Sequence, residues 1–380
     1  MKKIKTAIVG TGFMGKVHTE NVRRLGNVEV AAVVGSRPER AQKFAESMSI
    51  PFATANLSDV LNNREIAAVH ICTPNVQHFP MSLAALNAGK AVLCEKPLAM
   101  TVDEGKRLVE AAKAKNAINA VQHNLRYYPV VQQAREMIAA GELGEILIAQ
   151  GTYSQDWLLY ETDWNWRLDA GENGKLRAMA DIGSHWMDTV QHLTGLPITA
   201  VCADLATFHK TRKRPKGSVE SFSGKKGTAG ESEDVEMAGD DFGIVMFHLG
   251  TRARGAFTVS QMSAGRKNNF AIEIFGTKAG IAWNQEEPDK LWIGHRNEPN
   301  QIIIKDAALF LPGAVSFADL PGGHSEGYDD SHKQLFKRFY ARVADPSLPV
   351  EYPTFEDGLR GMVLLEKVGA SDDKKAWVNV

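Results

Sequence analysis

Short apolar runs alternate with longer amphipathic segments between residues 4 and 121. Runs that are apolar at every position are typical of parallel strands buried on both faces, and the segments between them have a helical period. The alternation therefore predicts a doubly wound α/β domain of the Rossmann type, with a parallel sheet. The predicted strands are 4–9, 28–34, 67–72, 91–94 and 117–121, and the predicted helices are 15–25, 38–48, 80–88 and 102–115.

The pattern changes beyond residue 124, where several segments alternate apolar and polar residues. Such alternation is typical of half-buried antiparallel strands. Strands are predicted at 146–153, 200–208, 241–249, 254–261 and 270–275, and helices at 128–140, 182–193, 329–343 and 355–368. The sequence thus predicts a dinucleotide-binding domain over residues 1–124 and an α+β domain with a large, mostly antiparallel sheet over residues 125–380. We expect the helix at 355–368 to pack back on the first domain.

The composition gives no indication of a macromolecular partner. The 380 residues carry a formal net charge of −1, so neither nucleic acid nor a membrane is expected as a partner. No run approaches the roughly 18 apolar residues of a membrane span, and glycines interrupt the first apolar run too early for a signal peptide. Three scattered cysteines form neither a disulfide framework nor a metal-ligand spacing. We expect a cytoplasmic protein without a metal.

One segment has a different composition. Residues 210–236 are rich in Lys, Gly, Ser and Glu and poor in apolar residues, which indicates a mobile loop or the exposed end of a long hairpin. Its basic run is followed by acidic residues and has no aromatic platform beside it. A solvated surface is therefore favoured over a nucleic-acid patch.

The first strand runs into a glycine-rich fingerprint, Gly10-Thr-Gly12-Phe13-Met14-Gly15. This pattern is informative because it follows a strand and opens a helix. The first glycine permits a tight turn, the second lets the backbone approach a pyrophosphate, and the third lets the helix lie close to the sheet. The fingerprint predicts that NAD or NADP binds here.

The tip of the second strand bears on the choice between the two cofactors. NAD-preferring sites usually place an acidic residue there, whereas this chain has Ser36 and Arg37. Ser36 can donate a hydrogen bond to a 2′-phosphate, and Arg37 can pair with the phosphate or stack on adenine. NADP is therefore favoured over NAD, although a serine also tolerates NAD.

A lysine follows the strand predicted at 91–94. Ligands of open α/β sheets bind beyond the carboxyl ends of the strands, so Lys96 is expected on the cofactor side. An ammonium beside a substrate oxygen stabilises the alkoxide that develops as hydride leaves carbon, and Pro97 fixes the direction of the turn. For an isolated lysine, a surface loop would be the better interpretation.

The chain resembles the Gfo/Idh/MocA family of sugar and cyclitol oxidoreductases in the order and spacing of four motifs. These are the glycine-rich fingerprint, Thr73-Pro74-Asn75, Glu95-Lys96-Pro97, and Asn124-Leu-Arg126 before Pro129. The resemblance covers most of the chain. It implies that Lys96 lies by the nicotinamide and the reacting oxygen. It also implies that the cofactor cleft is lined by a set of residues from the turns, namely Thr73, Pro74, Asn75, His78, Glu95 and Asn124. Family members commonly associate through the open face of the second sheet, which implies a homodimer or homotetramer.

A second group of candidate catalytic residues lies at the start of the helix predicted at 182–193. Asp181 and His185 are four residues apart and share a helix face, and Asp188 is expected near His185. Histidine suits proton transfer with an alcohol, and a carboxylate beside it can raise its basicity. The alternative is a capping aspartate with a core histidine. The family resemblance implies His185 as general acid/base and Asp181 as its assistant or a substrate ligand.

The segment 153–167 is dense in aromatic and polar side chains, which suit a carbohydrate with apolar faces and a rim of hydroxyls. The alternative is an exposed loop anchored by core tryptophans. We assign Tyr153, Asp163 and Trp164 to the substrate, and by resemblance Trp166 and Arg167 to the cofactor. Further substrate candidates are Lys96, Asp181 and His185, and weaker ones are Arg126, Tyr127, His324 and Tyr328.

These residues predict an oxidoreductase that transfers hydride between NAD(P) and a secondary hydroxyl or ketone of a sugar, anhydrosugar or cyclitol. One alternative keeps the fold and uses a retained cofactor for glycoside cleavage or epimerisation. Another, of a different class, is a non-catalytic dinucleotide sensor. A third possibility, a metal-dependent enzyme, has little support, because His185, His192 and His332 have no arrangement that identifies a ligand set.

Overall fold

The computed structural model of the protein describes residues 3–216 and 231–380. The first domain alternates strands and helices, as the apolar runs predict. Its elements are β1 (Ile4–Val9), α1 (Phe13–Arg23), β2 (Val28–Val34), α2 (Pro38–Ser47), β3 (Phe52–Thr54), α3 (Leu57–Leu61), β4 (Ile66–Ile71), α4 (His78–Asn87), β5 (Ala91–Cys94), α5 (Val102–Ala114) and β6 (Asn119–Val121).

The strands of the first domain form a parallel sheet in the order β3-β2-β1-β4-β5-β6. This is the order of a Rossmann fold, so that prediction is confirmed, and the order reverses between β1 and β4. The strand β3 was not predicted, because three partly exposed residues at a sheet edge leave no apolar run. Ligands are expected at the carboxyl edge of this sheet, where the turns after β1, β4 and β5 meet.

The second domain contains a larger sheet. Its elements are α6 (Pro129–Ala139), β7 (Ile146–Ser154), α7 (Ala170–Asn173), a π-helical turn (Met179–Gly183), α8 (Ser184–Thr194), β8 (Ile198–Ala206), β9 (Thr211–Pro215), β10 (Ser232–Glu236), β11 (Phe242–Leu249), β12 (Ala253–Ser260), β13 (Asn269–Gly276), β14 (Gly280–Asn284), β15 (Lys290–Gly294), β16 (Gln301–Ile304), α9 (Pro312–Val315), α10 (Tyr328–Ala344), α11 (Phe355–Lys374) and β17 (Val378–Asn379).

The large sheet has the order β16-β15-β14-β13-β7-β12-β11-β8-β17, and within it β7 and β12 pair in parallel while the other neighbours are antiparallel. One face packs on α6 and α8 through a core that includes Trp186, Phe257 and Phe270. The opposite face exposes apolar side chains such as Ile148 and Met246. The predicted antiparallel, open-faced domain is confirmed. Strands β14 to β17 were not predicted, because each has five residues or fewer between turns.

Two long helices near the end of the chain cover the first domain. Helix α10 packs Leu335, Phe336 and Phe339 into the core beneath β1 and β2. Helix α11 packs Phe355 against the opposite layer of that domain, and its later residues join the core of the second domain. The boundary at residue 124 stays a prediction.

The lysine-rich segment 210–236 has an ordered base. Its flanks, β9 and β10, pair as an antiparallel hairpin from Thr211 and Glu236 to Pro215 and Ser232. The interpretation of its tip as mobile falls on residues 217–230, which lie outside the described residues.

Candidate active site

The turn between β1 and α1 has the geometry that a pyrophosphate site requires. Gly10 has a φ of +118°, and a Cβ there would lie 2.4 Å from the Cys72 carbonyl oxygen. A Cβ on Gly15 would lie 2.2 Å from the Gly10 carbonyl oxygen. Within the described residues, a Cβ on Gly12 would meet no atom inside 4 Å, so the start of α1 faces open space. Helix N-termini present free N–H groups and favour anions, so the turn fits a dinucleotide phosphate.

The other residues of the fingerprint lie at the edge of this turn. Phe13 is 41% exposed, and the sulfur of the half-buried Met14 lies 3.7 Å from the Tyr328 hydroxyl on α10. Ser36 and Arg37 are exposed after β2, where an adenosine ribose would be expected in a Rossmann fold. Both side chains are thus free of the core, and the preference for NADP stays a prediction.

The turns after β4 and β5 are tied together by a histidine. His78 Nδ1 lies 2.6 Å from the Pro97 carbonyl oxygen, and its Nε2 lies 3.0 Å from the Thr73 carbonyl oxygen. Burial lowers the pKa of His78, so the neutral ring donates to one of these carbonyls at a time. Asn75 Nδ2 donates to Asn173 Oδ1 at 2.7 Å, which joins the same turn to α7.

Lys96 lies in an ionic cluster with residues of the second domain. Its Nζ donates to Asp181 Oδ1 at 2.8 Å and to the Asp181 carbonyl oxygen at 2.6 Å. Asp181 also accepts from Arg167 Nε at 3.2 Å and from Gln261 Nε2 at 2.9 Å. Burial alone would raise the pKa of Asp181, but the charges of Lys96 and Arg167 hold it well below its ordinary range. Asp181 is therefore a fixed anion that orients the lysine, and it stays ionised at neutral pH.

His185 follows Asp181 by one helical turn. Its Nδ1 is buried without a hydrogen-bond partner among the described residues, and its ring lies 6.4 Å from that of Tyr153 and 5.8 Å from that of His123. Burial and the charge of Lys96 lower the pKa of His185 well below its ordinary value. The ring is therefore neutral at physiological pH and able to accept a proton.

Asp188 belongs to a separate cluster, although the sequence predicted it near His185. Arg126 donates to both of its oxygens, from Nε at 2.7 Å and from an η-nitrogen at 2.5 Å. The same guanidinium contacts Asp357 on α11 at 3.3 Å. Arg126 is thus engaged by two carboxylates of the fold, and the structure does not support its assignment to the substrate.

Two neighbours of Arg126 also have structural contacts. Tyr127 is buried in the core beside Phe317, and its hydroxyl donates to the Glu351 carbonyl oxygen at 2.8 Å. Asn124, predicted at the cofactor, donates to the Ser331 hydroxyl at 2.9 Å and is buried. These contacts attach the segment to α10 and to the chain before α11, so a substrate role for Tyr127 is not supported.

The aromatic segment contributes some of its side chains to the cleft. Tyr153 lies near His185 and donates to Asn268 Oδ1 at 2.8 Å. The Arg167 guanidinium stacks 4.6 Å from the Trp166 ring. Trp164 lines an adjoining pocket together with Arg167 and residues 235–239.

Two other substrate candidates form hydrogen bonds within their own turns. Asp163 accepts from the Tyr160 backbone N–H at 2.8 Å, and His324 is exposed with its Nδ1 3.3 Å from the Gly322 carbonyl oxygen. Neither contact brings the side chain to Lys96.

A buried arginine anchors the aromatic segment to the hairpin. Arg212 on β9 donates to the carbonyl oxygens of Leu158 and Tyr160, both at 2.9 Å, and pairs with Asp241 at 3.0 Å. The segment that carries Trp164 and the hairpin β9–β10 therefore form one connected arm beside the cleft.

Some site residues could not be found from the sequence. Gln261 is a single amide after β12, His332 lies in a segment without a motif, and His123 precedes the Asn124-Leu-Arg126 motif without belonging to it. His332 Nδ1 lies 2.9 Å from the Tyr328 carbonyl oxygen, while its Nε2 is buried without a partner among the described residues. The buried Thr73 hydroxyl is also unpartnered in that part of the chain. Unpartnered buried polar atoms around one cleft fit a bound ligand or water, and so fit a nicotinamide cofactor.

Within residues 3–216 and 231–380, no group of three or more His, Cys, Asp and Glu side chains could hold a metal ion. In the same residues, no helix is long and apolar enough to cross a bilayer.

Two family profiles match the chain. Residues 4–123 match an oxidoreductase family with an NAD-binding Rossmann fold, and residues 131–282 match the GFO/IDH/MocA C-terminal domain. The chain belongs to the Gfo/Idh/MocA family. The resemblance inferred from the motifs is thereby confirmed, and the chain is an NAD(P)-dependent sugar oxidoreductase that acts on CH–OH groups.

Named relatives include several sugar enzymes. Levoglucosan dehydrogenase of Pseudarthrobacter phenanthrenivorans is 28% identical, over 100% of this chain and 99% of its own. 1,5-Anhydro-D-fructose reductase of Ensifer adhaerens is 25% identical, over 84% of this chain and 88% of its own. A solved structure of levoglucosan dehydrogenase in complex with NADH and levoglucosan matches with a TM-score of 0.88 at 27% identity, over 100% of both chains.

Proposed function

We propose that the protein transfers hydride between NAD(P) and a secondary carbon of a neutral, hydroxyl-rich sugar, with an anhydrosugar as the favoured class. The observation that carries this proposal is the Lys96–Asp181 pair beside the neutral, partly unpartnered His185. The cations Lys96, Arg126 and Arg167 each pair with a carboxylate, which suits an uncharged substrate better than a sugar phosphate. The similarity to levoglucosan dehydrogenase over the full chain also supports an anhydrosugar.

Each of three side chains has a separate role in the proposed reaction. Lys96 donates a hydrogen bond to the reacting oxygen and stabilises the alkoxide that develops on it. Neutral His185 takes the hydroxyl proton in the oxidative direction and returns it in the reductive direction. Asp181, fixed by Arg167 and Gln261, holds the ammonium in place. The nicotinamide, when bound, supplies the hydride acceptor or donor.

We also propose NADP as the preferred cofactor, because exposed Ser36 and Arg37 stand where an acidic residue would select NAD. The relatives differ in the cofactor that their names or structures give. One solved structure of levoglucosan dehydrogenase contains NADH, whereas a scyllo-inositol 2-dehydrogenase of Bacillus subtilis, 29% identical over 51% of this chain, is named for NADP.

The open face of the large sheet is the proposed assembly surface. It exposes Ile148 on β7 and both Ile244 and Met246 on β11, two strands that flank β12, and each side chain is at least 40% exposed. Apolar side chains grouped on a flat face are typical of protein contacts. We expect a homodimer or homotetramer, which light scattering of the purified protein measures directly.

The direct test is a spectrophotometric panel that follows reduced nicotinamide with NAD and NADP separately. The panel contains levoglucosan, 1,5-anhydroglucitol, glucose, glucose 6-phosphate and myo-inositol. We expect the highest kcat/KM with a neutral anhydrosugar. Faster turnover of glucose 6-phosphate would contradict the neutral-substrate proposal. Bound cofactor without turnover of any compound in either direction would favour a retained-cofactor reaction or a sensor.

A further inference from the structure

A chain of buried hydrogen bonds runs from the turn after β5 into the core of the first domain. Glu95 Oε1 lies 2.9 Å from His18 Nε2 on α1, and His18 Nδ1 lies 2.8 Å from His70 Nδ1 on β4. His70 Nε2 lies 2.7 Å from the Tyr340 hydroxyl on α10. The proposed hydride transfer uses the neighbouring Lys96 but none of these four side chains.

The protonation of the two rings fixes the direction of the chain. Burial lowers the pKa of His18 to about 3 and the pKa of His70 well below its ordinary value, so each ring is neutral with one N–H. The Tyr340 hydroxyl then donates to His70, His70 donates from Nδ1 to His18, and His18 donates from Nε2 to the Glu95 carboxylate. Every ring nitrogen has a partner, and Glu95 carries the charge of the chain.

Glu95 is buried, and burial raises the pKa of its carboxyl above its ordinary value, although Lys96, His332 and His78 oppose this shift. Among these neighbours the histidines are neutral, because burial lowers the pKa of each of them. Lys96 is thus the cation that faces Glu95. The titratable groups around it are His18, Cys72, His78, Cys94, Lys96, Tyr328 and His332.

The charges of the cleft balance only when Glu95 is ionised. Lys96 and Arg167 contribute two positive charges, and Asp181 contributes one negative charge. An ionised Glu95 brings this sum to zero, whereas a protonated Glu95 leaves one positive charge. The oxidised nicotinamide ring is a cation that becomes neutral when it accepts hydride, so the charge of Glu95 affects the two forms differently.

We propose that Tyr340, His70 and His18 keep Glu95 ionised, so that the cleft binds the oxidised cofactor in preference to the reduced one. The three are positioning residues that act through Glu95. This inference rests on the proposed function, and it adds to it a preference of the site for one of the two redox forms of the cofactor. Without the N–H of His18, the buried carboxylate would lose its donor and take up a proton more readily.

The test compares dissociation constants of the oxidised and reduced cofactor, measured by calorimetry without substrate. The measured quantity is the dissociation constant of the oxidised cofactor divided by that of the reduced cofactor. We expect Glu95→Gln to raise this ratio by roughly 10-fold or more at every pH. His18→Leu raises the same ratio most at low pH, because the Glu95 carboxylate has lost its donor and is protonated there. His18→Gln keeps an amide donor and restores most of the native ratio.

Two conservative tyrosine variants distinguish an effect of the hydrogen-bond chain from a general loss of folding. Tyr340→Phe removes the far end of the chain, and we expect a smaller change of about 2- to 3-fold. Tyr352→Phe removes a hydroxyl from the same core cluster but outside the chain, and it leaves the ratio unchanged. The melting temperature of each variant shows that the folded protein is being titrated.

Equal weakening of both cofactor forms by Glu95→Gln would overturn the proposal. A folded His18→Leu or Tyr340→Phe with the native ratio at all pH values would overturn the role of the chain. Failure of the native protein to bind either cofactor would instead contradict the proposed function.

Discussion

Asp181 and Asp188 lie seven residues apart on one helical segment, and each carboxylate pairs with an arginine, with side chains 11% and 8% exposed. Asp188 directs both oxygens at Arg126, and this guanidinium also contacts Asp357, so the cluster joins α8, α11 and the segment before α6. Asp181 instead lies between Lys96 and Arg167, next to a histidine nitrogen without a partner.

Both clusters pair a carboxylate with an arginine, and each lies near a histidine Nδ1 that has no hydrogen-bond partner among the described residues, but only the Asp181 cluster contains a lysine. Around Asp188 the charges of the fold pair with one another, which fixes three elements. Around Asp181 the ammonium and the neutral imidazole retain capacity for a further partner. A chemical role is thus indicated by the capacity that remains after the fold has used its own hydrogen bonds. The following predictions test this difference.

The largest expected effect is on stability. Arg126→Met leaves Asp188 buried without its partner, which costs about 3–5 kcal/mol of unfolding free energy. Urea denaturation measures the loss. The double variant with Asp188→Asn recovers much of it, because no uncompensated charge remains. A loss below about 1 kcal/mol would show that Asp188 finds water or another donor.

Lys96→Met has the largest effect on the reaction. We expect kcat to fall on the order of 10² or more, because the developing alkoxide loses its ammonium. Stability should change less than in Arg126→Met, since Asp181 keeps Arg167 and Gln261. Lys106→Met, an exposed lysine on α5, is the matched control. Turnover near the native value would refute the assignment of Lys96.

The third prediction concerns pH and His185. Its pKa is lowered in the folded protein, so below pH ~6.5 the unfolded chain binds a proton that the folded one does not. Stability is present above that pH and falls as pH decreases, by up to about 1.4 kcal/mol per pH unit. We expect His185→Gln to reduce this slope between pH 6.5 and 5 in urea titrations. An unchanged slope would mean that His185 is protonated in the native state.

The smallest effect is expected at Gln261, which gives Asp181 one of its donors. Gln261→Met should lower kcat/KM by roughly 10-fold, as expected for one hydrogen bond to a charged group. Steady-state kinetics with the substrate found in the panel would measure this. An effect as large as that of Lys96→Met would mean that Gln261 contacts the substrate itself.

Much of the fold could be predicted because buried strands and amphipathic helices impose periods on the sequence. The parallel sheet and the change to antiparallel strands follow from those periods. The strands β3, β14, β15 and β16 were missed because three to five residues between turns give no measurable period.

The site was predictable only in part. Lys96 and Asp181 were identified by local motifs, but their contact spans 85 residues and depends on how the two domains pack. The spacing of Asp188 to His185 was a sound helical argument, yet Arg126 competes more strongly for the carboxylate. Gln261 and His332 have no local signal, because their roles arise from tertiary contacts alone.

The arm anchored by Arg212 has an evolutionary consequence. Its hydrogen bonds join the aromatic segment to the hairpin β9–β10 through backbone carbonyls, whose presence does not depend on which side chains the segment carries. Aromatic and polar positions such as Trp164 can therefore be exchanged while the segment keeps its path. Selection for a new sugar could act on this arm and leave the proton-transfer residues untouched, so one scaffold can supply a series of specificities.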